Sequence, residues 1–107
     1  MKTAIASNGK DKNSDISDQA GRARYYLVFD ASGKILEVID NPFRTGGGGA
    51  GYGVAKMLAD KGVGAIVAGD FGPKMIDAMG QRNLQYSTAS GKVGDYAQGA
   101  LKKSAKQ

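Results

Sequence analysis

The run Gly64-Ala65-Ile66-Val67-Ala68 constrains this chain more than any other feature. It is an uninterrupted apolar stretch of strand length, and a strand with no polar side needs cover on both faces. Helical patterns stand on either side of it. Before it, Val54, Met57 and Leu58 fall on one helical face, with Gly62 as the terminator. After it, Gly72-Pro73 opens a second helix with proline in the first turn and Ile76 and Met79 as its apolar positions. Leu84-Gln85-Tyr86-Ser87 reads as a further short strand. Val93, Tyr96, Ala97, Ala100 and Leu101 then recur at helical spacing, the cleanest amphipathic pattern in the chain.

The N-terminal half follows a different rhythm. Residues 2–7 form a short apolar-leaning strand ending in the turn-like Ser7-Asn8-Gly9. Residues 8–22 are polar, with almost no apolar anchors, and read as a loop with freedom to move. Tyr25-Tyr26-Leu27-Val28-Phe29 is strongly β-prone, Asp30-Ala31-Ser32-Gly33 is a turn, and Lys34–Ile39 returns as the second arm of a hairpin. Asn41-Pro42 stops that arm, because proline cannot continue a ladder. A strand and an antiparallel hairpin followed by alternating helices and strands predict an α/β fold with a mixed five-stranded sheet. With 107 residues, no internal repeat and no linker, one domain spans 1–107, with a basic tail at about 102–107.

Two absences bound the chemistry. The chain has no cysteine and no histidine. Haem, cysteine-ligated iron–sulfur clusters and the usual zinc and copper sites therefore lack their protein ligands. Nucleophilic catalysis of the Cys/His or Ser/His/Asp kind lacks its base. Any bound metal must be held by oxygen, by methionine sulfur, or inside a group that brings its own ligands. The net charge of +5 favours an anionic partner. Most aromatics fall inside strand patterns, so the interleaving of exposed aromatics with basic residues that marks nucleic-acid binders is missing. Nor is any apolar stretch long enough to span a membrane. Neither nucleic acid nor membrane is expected as a partner, and a cytoplasmic monomer is the expectation.

Three segments carry candidate site residues. Gly46-Gly47-Gly48-Gly49 follows Arg44-Thr45 and precedes Gly51 and Gly53. Gly46, Gly48 and Gly51 formally spell the dinucleotide fingerprint, with Asp70 downstream. The preceding strand is amphipathic, however, and five residues separate it from the glycines, so the tight strand-to-loop turn is missing. Two other readings stay open: a flexible connection, or backbone amides stripped of side chains approaching an anion at a helix N-terminus. Gly69-Asp70-Phe71-Gly72-Pro73-Lys74 leaves the apolar strand at its carboxyl end, where α/β sheets collect ligands; it also reads as an ordinary β–α turn. Gln19-Ala20-Gly21-Arg22-Ala23-Arg24 leads into the hairpin, with Arg22 and Arg24 spaced to share one side or simply to sit in solvent. Met57, Met75 and Met79 are soft contacts or, more ordinarily, core.

Asp18-Gln19-Ala20-Gly21-Arg22-Ala23, a glycine-rich helix entry, and Val63 through Lys74 together resemble the dinitrogenase iron–molybdenum cofactor biosynthesis family across nearly the whole chain. The resemblance implies a ribonuclease-H-like three-layer α/β/α fold without nuclease chemistry, in which a molybdenum-containing cluster is bound, stored or carried. Gln19 and Ala20 stand where a histidine–phenylalanine pair is common. That departure favours the orange-protein subgroup, which carries a molybdenum–copper sulfide cluster without protein thiolates. The implied cofactor-binding residues are Gln19, Ala20, Gly21, Arg22, Arg44, Thr45, Gly46, Gly47, Gly48, Gly49, Gly72 and Lys74, with no direct protein ligand beyond the soft contacts Met57 and Met75. A protein-interaction or regulatory module of the same fold is the alternative. Enzymatic activity is not expected.

Overall fold

The computed structural model describes residues 1–45 and 50–101. Strands β1 (Lys2–Ser7), β2 (Tyr25–Phe29), β3 (Ile35–Asp40), β4 (Val63–Ala68) and β5 (Gln85–Thr88) form one sheet in the order β3-β2-β1-β4-β5. β2 is antiparallel to both β1 and β3, whereas β4 is parallel to β1 and to β5. Helices α1 (Ala50–Asp60) and α2 (Pro73–Gln81) lie on one face. On the other face α3 (Val93–Tyr96) runs into a π-helical stretch, Ala97–Leu101.

The alternation of side chains along each strand divides the interior into two cores. Ala4 and Ala6 of β1, Tyr26 and Val28 of β2, and Ile66 and Ala68 of β4 pack under Val54, Ala55, Leu58, Met75, Ala78 and Met79 of the two long helices. Ile5, Leu27, Phe29 and Val67 point the other way, against Val93, Ala97 and the loop residue Ile16. The continuous apolar run in β4 is the consequence of this double cover. The result is the three-layer α/β/α arrangement. At the start of β4 the register with β1 slips by one residue, Lys2 pairing with Val63 and Thr3 with Ala65. That bulge brings Val63 onto the same face as Ile66, where it is buried.

Local chemistry closes the hairpin turn and the first helix where the sequence reading places them. Asp30 accepts hydrogen bonds from the Ser32 hydroxyl, the Ser32 amide and the Lys34 amide at 2.7, 2.9 and 3.0 Å. These bonds hold the hairpin turn and keep the Asp30 carboxyl below the usual carboxylate range. Gly62, with φ of +83°, ends α1 and donates to the Ala59 carbonyl.

Four expectations change. Residues 8–22 are not a free loop. Ile16 is buried and Ser7 bridges Ile16, while Ile16 N donates to Gly91 O and Val93 N to Ser14 O. One buried isoleucine supplies about 2 kcal/mol; buried Ala20, an ion pair from Lys92 to Asp15 and the backbone bonds add to the anchorage, and the backbone share leaves no side-chain pattern. Ile76 is 37% exposed, and Met75, Ala78 and Met79 form the buried side of α2 instead. The last strand begins at Gln85 rather than Leu84, which is buried in the core just before it. The amphipathic C-terminal segment keeps only one α-helical turn before its hydrogen bonding changes to the wider π pattern.

Among the described residues no helix is long and apolar enough to cross a membrane. The basic tail at 102–107 lies outside the described residues.

Candidate functional site

The parallel strands β1 and β4 end side by side, and the chain segments leaving them are sewn together. Ser17 N donates to Ala6 O at 2.8 Å, Gly69 N to Ser17 O at 2.8 Å, and Ala20 N to Asp70 O at 3.0 Å. The approach at Gly69 is closer than any side chain allows. A Cβ there would lie 2.8 Å from Asp18 Cα and 3.3 Å from Ser17 O. On the other flank, Asn41, 2% exposed, donates from Nδ2 to the carbonyls of Gly21 and Ala23 and accepts from Phe43 N. The segment 17–23 is thus clamped between the end of β4 and the end of β3.

Above this platform lies a cavity of about 500 Å³. Gln19, Ala20, Gly21 and Arg22 form one wall, Ala50 and Gly51 at the start of α1 a second, and Asp70, Gly72, Pro73, Lys74 and Met75 the third. Its rim is polar and solvent-exposed through Gln19, Arg22, Asp70 and Lys74, whereas Ala20, Ala50 and Met75 are buried. The helices are held close here because Gly51 has no side chain; a Cβ on it would sit 2.8 Å from Met75 Cβ. Tyr52 donates to Asp77 Oδ2 at 3.1 Å across the same pair of helices, and that bond raises the Tyr52 pKa.

Gly72 is of another kind. Its φ and ψ of −70° and 156° suit any residue, and a Cβ on it would meet nothing within 4 Å. It is the N-cap of α2, where Ser, Thr, Asp or Asn normally bonds the first free amides, yet no side chain caps this helix. The protein's own packing does not call for glycine at this position. Its absent side chain leaves the uncapped end of α2 open to the cavity.

The structure brings Gln19, Ala20, Gly21, Arg22, Gly72, Lys74 and Met75 to one cavity. Arg44 and Thr45 are exposed and do not line it, although Arg22 Nη1 donates to the Arg44 carbonyl at 3.4 Å. Gly46–Gly49 lie outside the described residues. Met57 packs half-buried against the α1/α2 core. Arg24 does not join Arg22 at the cavity; its guanidinium lies over the Tyr25 ring, 5.7 Å from the centroid. Ala50, Gly51, Asp70 and Pro73 also line the cavity, although none is among the implied cofactor-binding residues; the position of Ala50 and Gly51 directly after the glycine run, and of Asp70 and Pro73 within the turn after β4, is the signal that points to them. Among the described residues no group of three or more Asp or Glu side chains is placed to hold a metal ion.

Asn41→Ala removes the clamp behind Gly21 and leaves one buried carbonyl, one part-buried carbonyl and one amide short of a partner. We expect a loss of about 2–3 kcal/mol, measured as a lower urea midpoint. A shift below 0.5 kcal/mol means that the segment 21–23 does not depend on Asn41.

A mixed sheet of this order, covered on both sides and opening a cationic cavity at the ends of its central parallel strands, defines a small α/β binding fold. Residues 1–106 match the family described as dinitrogenase iron-molybdenum cofactor, and the chain belongs to that family. No curated protein matches the chain in sequence. Among solved structures, the apo form of the orange protein from Desulfovibrio gigas is 28% identical, with a TM-score of 0.84 over 91% of this chain and 83% of that one. TM1290 from Thermotoga, assigned to the DUF35 family, is 29% identical, with a TM-score of 0.78 over 97% and 89%. PH0822 shares the fold at 20% identity, with a TM-score of 0.79 over 94% and 90%.

Proposed function

We propose that this protein is a non-enzymatic carrier of an anionic, molybdenum-containing metal–sulfide cluster, held without covalent or coordinate bonds from the chain. The observation that carries this reading is the convergence of Arg22, Lys74 and the uncapped start of α2 on one cavity in a chain devoid of cysteine and histidine. A sulfide-bridged cluster brings its own soft ligands and a net negative charge. What it asks of a protein is positive side chains, peptide amides and some apolar surface. Ala20, Ala50 and Met75 offer the last of these, and Gly21, Gly51 and Gly72 keep side chains out of the way. Membership of the family and likeness to the orange protein support the same reading. We assign the cargo as a molybdenum–copper sulfide cluster because the resemblance to the orange-protein subgroup implies one, and a chain without thiolates or imidazoles needs a cluster that brings its own ligands.

The proposed contacts are Gln19, Ala20, Gly21, Arg22, Gly72 and Lys74. Arg44, Thr45 and Gly46–Gly49 are kept with them, because Arg22 reaches the Arg44 carbonyl and Ala50, next in the chain after Gly49, lines the cavity. All of these belong to one chain, so a monomer suffices.

Protein purified from its native host is expected to be coloured and to contain molybdenum and copper by elemental analysis. Colourless protein incubated with tetrathiomolybdate and Cu(I) is expected to take up a stoichiometric, salt-sensitive complex with a charge-transfer absorption. A native preparation with no transition metal, together with no uptake on reconstitution, refutes the proposal in favour of a protein-interaction module.

A further inference from the structure

Asp70 is the only acidic residue among the described residues that line the cavity, and the other charged lining residues are Arg22 and Lys74. The fold does not require its charge. The structural work at this position is done by the backbone, whose carbonyl accepts from Ala20 N at 3.0 Å. The side chain is exposed, and among the described residues its carboxylate has no hydrogen-bond or ion-pair partner. A site made only to retain a polyanion gains nothing from an unpaired negative charge in its wall. The Asp70 carboxylate half offsets the two cations, so the described wall carries a formal net charge of +1 instead of +2.

We infer that Asp70 is a release element, a like charge that weakens the hold on the cargo so that it can be handed on. This rests on the anionic-cargo reading above and deepens it: the chain is a delivery protein rather than a store. The physical basis is Coulombic. Removing one like charge near an anion in a solvent-open cavity strengthens binding by roughly 1 kcal/mol, about fivefold, at low ionic strength, and salt erodes the difference once the Debye length falls below the separation. The polar rim fits this role, since Gln19, Arg22, Asp70 and Lys74 are all exposed and water reaches the site without displacing a lid of these residues.

The test uses the full chain and tetrathiomolybdate, with and without Cu(I), as the probe, with affinity and dissociation rate followed at low and high salt. Asp70→Asn is nearly isosteric and keeps the backbone bond. It is expected to bind about fivefold tighter than the wild type and to release more slowly, with the gap closing at high salt. Asp70→Ala should move in the same direction, which separates charge from hydrogen bonding. Asp60→Asn, at the far end of α1 and paired with Lys56, serves as the distant-carboxylate control and should leave affinity unchanged. Unchanged affinity in Asp70→Asn overturns the inference, because the carboxylate then does not sense the cargo. Weaker binding overturns it as well, by making Asp70 a ligand rather than a repellent. If the wild type binds neither form of the probe, the anionic-cargo reading itself fails and takes this inference with it.

Discussion

Arg22→Glu combined with Lys74→Glu should abolish cluster retention while leaving the fold intact. Both side chains are exposed on the cavity rim, so neither substitution buries a charge or opens a void. Together they change the charge facing the cargo by four units. At roughly 1 kcal/mol per unit for a charge a few ångströms from the ligand in a solvent-open site, the loss is about 4 kcal/mol, or about 10³-fold in affinity. The single variants should each lose about 30-fold, and all three deficits should shrink as salt is raised. Arg44→Glu should cost less than either, because Arg44 meets the site through its backbone carbonyl, which the substitution retains. The readout is tetrathiomolybdate affinity beside a thermal melt. Retention within a factor of three in the double variant excludes these two cations from the site, and an equal loss for Arg44→Glu moves the centre of the site toward the residues that follow it.

The legible parts of the fold are those in which side-chain chemistry dictates backbone. β4 is apolar at every position because both faces are covered, and that pattern alone places helices on both sides. The hairpin is written in Tyr25–Phe29 and in Asp30, whose carboxylate bonds back to its own turn. The segment 8–22 misleads for the opposite reason. Its anchorage rests largely on main-chain bonds to β1, to Gly91 and to Gly69, with only Ile16 and the small Ala20 as buried apolar side chains. Main-chain bonds leave no trace in composition. The C-terminal helix misleads differently: Val93 and Ala97 are buried as their spacing demands, but the same spacing is compatible with either hydrogen-bond pattern, and only the first turn is α-helical. At the site, the segments around Gly21 and Gly72 stand out in sequence because glycines lie near cations there, Gly21 beside Arg22 before β2 and Gly72 two residues before Lys74 after β4. Their meeting with Gly51 depends on how closely α1 approaches α2, which rests on a long-range contact with Met75.

Gly69 and Gly72 look alike in sequence, and alanine should separate them. At Gly69 the new Cβ would fall 2.8 Å from the Asp18 backbone and 3.3 Å from the Ser17 carbonyl. Neither is the end of a flexible side chain, so the segment 17–20 must move, and the bonds from Gly69 N to Ser17 O and from Ala20 N to Asp70 O stretch or break with it. Overpacking against backbone costs about 2–3 kcal/mol, and two weakened hydrogen bonds add about 1 kcal/mol. Gly69→Ala should therefore lose about 3–4 kcal/mol in urea denaturation and lose cluster binding as a consequence of the displaced wall. At Gly72 the extra methyl meets nothing, and φ of −70° is ordinary for alanine. Alanine is a poorer N-cap than glycine by a few tenths of a kcal/mol, while the stiffer unfolded chain returns a similar amount. Stability should thus stay within about 1 kcal/mol of the wild type. Binding should nevertheless fall, by about tenfold or more, because the methyl stands where the cargo meets the first amides of α2. Loss of stability at Gly69 without loss at Gly72, joined to loss of binding at both, is the signature of one glycine needed by the chain and one needed by its ligand. A Gly72→Ala protein that holds the cluster as tightly as the wild type would show that the start of α2 plays no part in holding it.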